Sequence, residues 1–436
     1  MITEEVAKAK RASLRMAALS TETKNSALEA MASALDRGRD RIIAANMKDM
    51  EVAEKEVSEG RMTSALAKRL KVDAEKIDGM ISGVLDVARL PDPVGETISS
   101  IELDEGLELY QIRCPIGVIG TIFESRPDVV PQIMALCLKS GNSVVFKGGS
   151  EAAASNRELF DILSDAAASA GVPRDAFVLM ESREDVSKIL KMDGMIDLLI
   201  PRGSNEFVRY IKESTKIPVL GHAAGICHVY VHRSADIGKA VNVTADSKMQ
   251  YPAVCNAAET LLVDAEAAEE FLPLMNRLLV EGGVEVRADE EALPHMEGAK
   301  EAKESDWDEE YNDLILSVKI VHSLTEAIDF INLHGSHHTD SIIAEDRDAI
   351  EAFVRNVDSA DIMVNASTRF ADGYRFGKGA EVGISTNKVH SRGPVGMEGL
   401  TIYKYVLLGN GQVVKDYVGK SAKKYTHRKM DGELRF

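Results

Sequence analysis

The sequence predicts an α/β protein built on a doubly wound, mainly parallel sheet. Short apolar runs such as 118–123 are continuous rather than alternating, as expected for strands covered on both faces. These runs alternate along the chain with segments whose apolar residues recur at helical spacing. The alternation occurs twice, before and after about residue 250, so the 436 residues are expected to form two α/β units.

The chain from residue 3 to about 90 is predicted to be helical, because residues such as Leu14, Ala17 and Ala18 recur at helical spacing. The prolines at 91 and 93 end this block, since proline lacks an N–H and disfavours helix in the residue before it. Two β-rich runs over 98–112 flank an acidic-Gly turn, which predicts a hairpin. Strands are then predicted over 118–123, 143–147, 177–180 and 196–200, with helices over 128–140, 151–170, 184–191 and 204–213.

The second half of the chain repeats the alternation. Short strands near 218–220 and at 226–231 and a helix over 236–248 precede it. Further strands are predicted at 259–263, 283–287, 315–321, 340–344, 361–364 and 401–408. Residues 415–436 form a polar tail with seven Lys or Arg against three Asp or Glu.

Composition excludes several classes of protein. The net charge is −18, from 52 Lys and Arg against 70 Asp and Glu, and an acidic chain repels nucleic-acid phosphates. No apolar run approaches the ~18 residues that span a bilayer, and the N-terminus predicts no secretory signal. The four Cys form no C-x-x-C pair, so we expect a reduced, cytoplasmic protein without disulfides or a cysteine-based zinc site.

Two loops have the pattern of anion-binding sites. Lys147-Gly148-Gly149-Ser150 follows a predicted strand and opens a helix, and so does Pro201-Arg202-Gly203-Ser204. Free backbone N–H groups and the positive end of a helix attract phosphate at such junctions. Either loop alone is equally compatible with a simple helix start, but two in one sheet suit a cofactor with several phosphates. Neither is the G-x-G-x-x-G dinucleotide motif.

Cys255 is the candidate nucleophile. It lies in the loop Gln250-Tyr251-Pro252-Ala253-Val254-Cys255, after a predicted helix and before a predicted strand. Most cysteines are simply small buried apolar residues, and this alternative suits Cys114, Cys137 and Cys227, which lie in or beside apolar runs.

The histidines and the glycine-rich loop are weaker signals. His334, His337 and His338 cluster, and His228 and His232 are four apart, but a third ligand and outer hydrogen bonds are not evident. We therefore expect structural histidines and no metal site. The loop 377–399 is rich in Gly, Lys and Arg, which suits an anionic substrate; the alternative is a long solvated loop.

Together these residues carry a family resemblance. The segment 114–127, CPIGVIGTIFESRP, resembles the γ-glutamyl phosphate reductase family of the aldehyde dehydrogenase superfamily. The similarity continues through 138–142, 147–152, 200–204, 221–228, 255–260, 379–386 and 392–396, and covers the chain to about residue 412.

The resemblance implies the aldehyde dehydrogenase fold and a cytoplasmic homo-oligomer, either a dimer or a tetramer. A functional link to glutamate 5-kinase is also implied. Residues 1–97 and 114–250 are expected to form a Rossmann-like cofactor-binding domain, and residues 251–400 an α/β catalytic domain. Residues 98–113 and 401–414 are expected to be oligomerisation strands, and residues 415–436 the polar tail.

The resemblance also implies a reductive reaction, the second step of proline biosynthesis from glutamate. Cys255 would attack L-glutamyl 5-phosphate and expel phosphate. The resulting thioester would take a hydride from NADPH to give L-glutamate 5-semialdehyde. The Cys255 N–H, with Ser125 nearby, would hold the oxyanion; losing one such donor costs roughly 10²–10³-fold in rate.

The resemblance also implies roles for the remaining site residues, from the positions that they match in the family. For the cofactor, Lys147 would face the adenosine ribose and its 2′-phosphate with Ser150 beside it, Gly203 and Ser204 would lie at the pyrophosphate, and Glu310 at the nicotinamide ribose. For the substrate, the expected cations are Arg126, Lys378 and Arg392, with Glu381 as a partner for the ammonium. Arg126 and Glu381 are equally compatible with structural roles in their loops.

One position departs from oxidising aldehyde dehydrogenases. Those enzymes place a general-base Glu before a Gly-Gly pair, whereas this chain has His222 in Gly221-His222-Ala223-Ala224-Gly225. Lack of that carboxylate favours phosphate exchange and reduction over hydrolysis of the thioester, although an imidazole titrating near ~6.5 is itself a potential base.

Three alternatives stay open at this point. The first is another aldehyde dehydrogenase linked to an acyl phosphate or acyl thioester, with a different acid as substrate. The second is a non-catalytic protein that kept the fold, for which Cys255 would be dispensable. The third assigns nucleic-acid or partner binding to the basic tail, which the acidic body disfavours.

Overall fold

The computed structural model describes residues 2–181, 183–222 and 224–434. The chain divides into two compact units. The first unit takes the described parts of Met1–Gly203, Tyr210–Val219 and Gly396–Phe436, and the second unit takes those of Ser204–Arg209 and Leu220–Val395. No helix in the described residues is long and apolar enough to cross a membrane.

The first unit begins with the predicted helical block. Asp73, Ser20 and Thr63 cap three of its helices, each side chain accepting a hydrogen bond from a backbone N–H in the first turn. The block ends before the prolines, as predicted. Its helices are α1 (Ile2–Met16), α2 (Thr21–Arg37), α3 (Arg39–Ser58), α4 (Ser64–Leu70) and α5 (Ala74–Arg89).

The predicted hairpin and parallel sheet follow. The elements are β1 (Thr97–Asp104), β2 (Leu107–Pro115), β3 (Val118–Phe123), α6 (Val129–Lys139), β4 (Ser143–Gly148), α7 (Ala153–Ser169), β5 (Phe177–Met180), α8 (Arg183–Ile189), β6 (Leu198–Arg202) and α9 (Asn205–Ser214). The residues of α9 up to Arg209 belong to the second unit. The parallel strands run in the order β5-β4-β3-β6. All residues of β3 and β4 are buried, which explains the continuous apolar run of β3.

The second unit carries a larger parallel sheet in the order β10-β9-β11-β8-β7-β12-β13, and a small antiparallel pair β14-β15. Its elements are β7 (Cys227–Val231), α10 (Ile237–Met249), β8 (Ala258–Asp264), α11 (Ala265–Glu281), β9 (Glu285–Ala288), β10 (Lys300–Glu301), β11 (Ile315–Val321), α12 (Leu324–His334), β12 (Thr339–Ile343), α13 (Arg347–Asn356), β13 (Asp361–Val364), β14 (Gly383–Ser385) and β15 (Gly393–Val395).

The division between the units falls near residue 220, whereas we placed it near 250. The difference arises from β7, which lies between β8 and β12 and is buried along its whole length. An apolar run predicts a buried strand but does not say which sheet the strand joins. The strand predicted near 218–220 is only a single bridge between Leu199 and Val219. The short strands β10, β14 and β15 were not predicted.

The hairpin belongs to a separate antiparallel sheet in the order β16-β2-β1-β17, completed by β16 (Thr401–Leu408) and β17 (Arg428–Met430). β16 was predicted, and it pairs with β2 from Thr401 to Leu408. The segment that we treated only as a polar tail contributes β17, which pairs with β1.

Candidate active site

Cys255 lies in the turn between α10 and β8, and its side chain is half-buried. Gly225, which precedes β7, passes directly against this turn. A Cβ added at Gly225 would lie 2.6 Å from both Cα and Cβ of Cys255, which is closer than real side chains approach. Only glycine therefore allows the two backbone segments to come this close.

A buried ion pair brackets the Cys255 turn. Lys248 near the end of α10 donates to Glu259 in β8 at 2.6 Å, and the two side chains are 0% and 1% exposed. The backbone N–H of Asn312 also donates to Glu259, at 3.3 Å. Burial raises the pKa of Glu259 to about 7, against the opposing effect of Lys248, and burial lowers the pKa of Lys248.

Arg369 fixes the same turn from the other side. Its guanidinium donates to the side chain of Gln250 at 2.9 Å and to the side-chain oxygen of Asn256. Asn256 in turn donates to the backbone oxygen of Ala371 at 2.8 Å. Gln250 and Asn256, on either side of Cys255, are thus tied together through Arg369, so the thiol sits on a rigid turn.

The other three thiols are in less reactive surroundings. Burial raises the pKa of Cys137 and, to well above its ordinary value, that of Cys227; it also raises the pKa of Cys114. Cys227 lies behind the turn and donates to the Cys255 carbonyl oxygen at 3.2 Å. These thiols stay protonated at neutral pH, and a protonated thiol is a poor nucleophile.

Two imidazoles lie beside Cys255. A ring nitrogen of His222, a ring nitrogen of His338 and the Cys255 Sγ all lie within 4.8 Å of one another. The rings of His222 and His338 meet edge to face with centroids 4.9 Å apart. His222 contacts the Ile384 carbonyl oxygen through Nδ1 at 2.9 Å, whereas His338 is fully buried. The sequence did not reveal this cluster, because His338 and Cys255 are far apart along the chain.

Four of the other histidines, those that the sequence also brings to notice, are hydrogen-bonded to nearby side chains or backbone. His228 contacts Asp340 at 2.8 Å, His232 contacts Ser234 at 2.9 Å and His334 contacts Asp308 at 2.9 Å. His337 contacts the backbone oxygen of Asp358 at 2.8 Å.

Ser125, in the first unit, has a left-handed backbone with φ of 46° and is buried. Its backbone N–H and its hydroxyl both donate to Oε1 of Glu151, at 2.6 and 2.8 Å. Glu151 was not among the predicted site residues. Because both donors of Ser125 are engaged, an oxyanion role for Ser125 requires that Glu151 release them.

The predicted phosphate loop at 147–150 follows β4. Lys147 is buried at 5% exposure, and its ammonium donates to the backbone oxygen of Gly148. A Cβ at Gly148 would lie 3.1 Å from the Phe123 ring, so this glycine lets the loop pass close to β3. Ser150 begins a short 3-10 turn ahead of α7. The strand, glycine pair and helix start thus occur in the predicted order.

The second predicted loop joins β6 to α9. The Ser204 hydroxyl accepts from the N–H of Phe207 at 3.4 Å, in the manner of an N-cap. Asn205 donates to Oε2 of Glu310 at 2.6 Å. Glu310, which is expected at the nicotinamide ribose, therefore lies at the start of α9, beside Ser204. Gly203 precedes Ser204 in this loop.

The predicted substrate cations have different surroundings. Arg126, in the first unit, is exposed in the turn after β3. In the second unit, Arg392 donates to Oδ1 of Asp358 at 3.1 Å, and Lys388 contacts the other oxygen of Asp358 at 2.6 Å. Hydrogen bonds from these two cations hold the pKa of Asp358 below its ordinary value. Glu381 accepts from the N–H of Gly373 at 2.8 Å.

Asp361 at the start of β13 is a charged residue that the sequence did not single out. Burial raises its pKa to about 7; Lys378 and Arg392 act to lower it, whereas Glu381 raises it. Lys378, Arg392 and Glu381 therefore share one electrostatic neighbourhood around Asp361. Nothing in the sequence marks this carboxyl as buried, because it depends on how the loop 377–395 folds back over β13.

The chain is similar in sequence and in structure to known proteins. Residues 1–292 match the model of the aldehyde dehydrogenase family. A relative from Methanosarcina mazei named gamma-glutamyl phosphate reductase is 59% identical over 436 residues, covering 99% of this chain and 98% of the relative. This chain belongs to the γ-glutamyl phosphate reductase family. A relative of the same name from Ruminiclostridium cellulolyticum is 52% identical, covering 97% of this chain and 96% of the relative.

Solved structures of the γ-glutamyl phosphate reductase family support the architecture. The crystal structure of the Thermotoga maritima protein of that name matches with a TM-score of 0.91 and 39% identity, covering 94% of this chain and 99% of that chain. The aldehyde dehydrogenase-like fold predicted from the sequence is therefore confirmed, as is membership of an oxidoreductase family.

The buried pair that brackets Cys255 gives a first test. We expect Glu259→Gln to lower the free energy of unfolding by about 3–5 kcal/mol, because it leaves the Lys248 ammonium buried without its countercharge. Replacing both partners, Lys248→Met with Glu259→Leu, should recover much of this loss. Denaturant unfolding measures both effects.

The matched control is the exposed pair of Arg277 and Glu281, 3.0 Å apart with exposures of 79% and 58%. Glu281→Gln should change stability by less than about 0.5 kcal/mol. A Glu259→Gln variant as stable as this control would contradict a structural role for the buried pair.

Proposed function

We propose that this protein reduces L-glutamyl 5-phosphate to L-glutamate 5-semialdehyde and phosphate with NADPH, as a step of proline biosynthesis. The observation that supports this most directly is Cys255, a half-exposed thiol on a rigid turn, in a chain 59% identical to a relative named gamma-glutamyl phosphate reductase. The acyl phosphate would be supplied by a kinase acting on glutamate, which is the basis of the proposed link to glutamate 5-kinase.

In the proposed reaction, the Cys255 thiolate attacks the acyl carbon and phosphate leaves, giving a thioester. The Cys255 N–H stabilises the oxyanion. NADPH, when bound, supplies the hydride. The thiolate is expelled again as the hemithioacetal collapses to the aldehyde, so Cys255 is regenerated.

Residues of both predicted loops suit a phosphate-rich cofactor. Lys147 is a buried cation beside two glycines and a helix start, which fits a ribose 2′-phosphate. Ser204 and the start of α9 would meet the pyrophosphate, and Glu310 would accept from the nicotinamide ribose hydroxyls. The proposed preference for NADPH is based on these placements.

His222 at the general-base position supports a reductive rather than hydrolytic enzyme. Its Nδ1 lies 2.9 Å from the Ile384 carbonyl, so this nitrogen holds its proton in that contact. Without a carboxylate at this position, water would be activated less well for attack on the thioester.

For substrate recognition, we propose the neighbourhood of Asp361. Lys378 and Arg392 would bind anionic groups, and Asp361, assisted by Glu381, would bind the α-ammonium. Arg126 stays a proposed contact for the phosphate or carboxylate. Arg392 is positioned by Asp358, and Glu381 also fixes the loop at Gly373, so both have a structural component.

We also propose that β16 forms a contact between subunits. It is the edge strand of its sheet and exposes Tyr403, Tyr405 and Leu407, and an exposed apolar edge of this kind is unfavourable in a free monomer. A homodimer is the minimum assembly, and a tetramer is compatible with the same edge.

The reverse reaction tests substrate and mechanism together. The protein should reduce NADP in the presence of L-glutamate 5-semialdehyde only when phosphate is added, and more slowly with NAD. Succinic and aspartic semialdehydes are the controls: faster turnover with either would favour the alternative that another acid is the substrate. Phosphate-independent oxidation to glutamate would contradict the non-hydrolytic mechanism.

The nucleophile is tested by Cys255→Ser, which should lower kcat by at least about 10³-fold with cofactor binding retained, because the attacking thiolate is lost. Cys114→Ser, which changes the other half-exposed thiol, should keep near-normal activity. Full activity in Cys255→Ser would contradict the assignment of Cys255 as the nucleophile.

Substrate recognition is tested by Asp361→Asn, which should raise KM for the semialdehyde about 10–100-fold with a smaller change in kcat, since one charged hydrogen bond is lost. Asp308→Asn, at the exposed partner of His334, is the control. An unchanged KM would place the ammonium elsewhere.

The subunit contact is tested by Tyr405→Lys combined with Leu407→Lys, which should shift the protein to a monomer in size-exclusion chromatography with light scattering. The exposed Leu333→Lys, on α12, serves as control and should leave the assembly intact. An unaltered mass in the double variant would exclude β16 as the contact.

A further inference from the structure

The cluster of Cys255, His222 and His338 has the composition of a zinc site. One sulfur and two imidazole nitrogens lie within 4.8 Å of one another beside the Cys255 turn. Thiolate and imidazole are ligands that zinc prefers in proteins. The three residues come from different parts of the second unit: the segment before β7, the turn before β8 and the residue before β12.

His338 provides the observation that points to a ligand. Its side chain is 0% exposed, and its Nε2 has no hydrogen-bond partner among the described residues. Leaving a buried imidazole nitrogen unpaired costs free energy, and a bound cation would remove that cost. The other nitrogen, Nδ1, is held by the Thr339 hydroxyl at 2.8 Å.

The outer contacts orient the rings as they do in metal sites. His222 contacts the Ile384 carbonyl through Nδ1 at 2.9 Å, and a carbonyl at one nitrogen sets the tautomer that presents a lone pair at the other. The Thr339 hydroxyl, which can donate or accept, holds the His338 ring through Nδ1 at 2.8 Å. Gly225 and the Arg369 network keep the turn that carries the sulfur in place.

We propose that this cluster binds Zn²⁺ reversibly through Cys255 Sγ and one nitrogen each of His222 and His338, with the fourth position open to water. Coordination would release the thiol proton to solvent and form a Zn–S bond, so the Cys255 sulfur is no longer available to attack an acyl carbon. Zinc bound here would therefore act as an inhibitor that is removed by a chelator.

The geometry argues for a reversible site rather than a permanent one. In a tetrahedral zinc site the ligand atoms lie roughly 3.3–3.6 Å apart, given Zn–N near 2.0–2.1 Å and Zn–S near 2.3 Å. The atoms here lie within 4.8 Å of one another, so binding requires a contraction of at most about 1.5 Å. Any such contraction lowers the affinity relative to a preformed structural site.

The experiment uses the full-length protein without substrate and Co²⁺ as the spectroscopic probe. Titration should give one equivalent of bound metal, a sulfur-to-cobalt charge-transfer band and the intense visible bands of a tetrahedral site, all displaced by Zn²⁺. His338→Gln should weaken Zn²⁺ binding at least about 100-fold, because loss even of an outer partner costs 10–100-fold. Cys255→Ser should abolish the charge-transfer band.

Cys114→Ser and His322→Gln are the matched controls, since they change a half-exposed thiol and an exposed imidazole elsewhere. Neither should alter binding. If circular dichroism shows that His338→Gln is unfolded, two other measurements decide. His222→Gln and alkylation of Cys255 in the unmodified sequence should each remove the charge-transfer band. Bound Zn²⁺ should slow that alkylation at least 10-fold. Absence of the band, or its survival in Cys255→Ser, overturns the proposal whether or not the protein reduces glutamyl phosphate.

Discussion

The buried ion pair of Lys248 and Glu259 is the interaction on which the candidate site depends. It joins the last turn of α10 to β8, and the residues between them form the turn that carries Cys255. An ion pair removed from water is not a large source of stability compared with apolar residues of the same size. Its effect here is geometric, since it fixes both ends of a short segment whose middle is half-exposed.

Close packing of backbone against backbone adds a second constraint. Gly225 lies so near Cys255 that any side chain would displace the turn, and Arg369 ties Gln250 to Asn256 across it. The turn that carries the thiol is therefore fixed by contacts of its flanking residues. The two imidazoles beside the sulfur are held separately, His222 by the Ile384 carbonyl and His338 by Thr339, and the proposed acyl chemistry and the proposed metal binding use the same sulfur.

Local patterns predicted the elements well. The helices before Pro91, the hairpin and the buried strands β3 and β4 follow from spacing, turn residues and continuous apolar runs, all of which depend on neighbours in the chain. The predicted boundary near residue 250 differs from the division near 220, because the sheet that β7 joins depends on contacts between distant segments. The burial of Asp361, the cap of Glu151 on Ser125 and the approach of His338 to Cys255 depend on such contacts too, so no spacing in the sequence indicates them.

The order of strands in the second unit also bears on how the site is assembled during folding. His338 and Cys227 are 111 positions apart in the chain, and Arg369 and Asn256 are 113 apart, yet each pair is in contact. Parallel pairing across such separations carries a high contact order and closes slowly. The surroundings of Cys255 therefore mature only after β7, β8 and β12 have joined. Until then, the Cys255 thiol of a nascent chain lacks its imidazole neighbours. It is then accessible to oxidants and to non-native contacts.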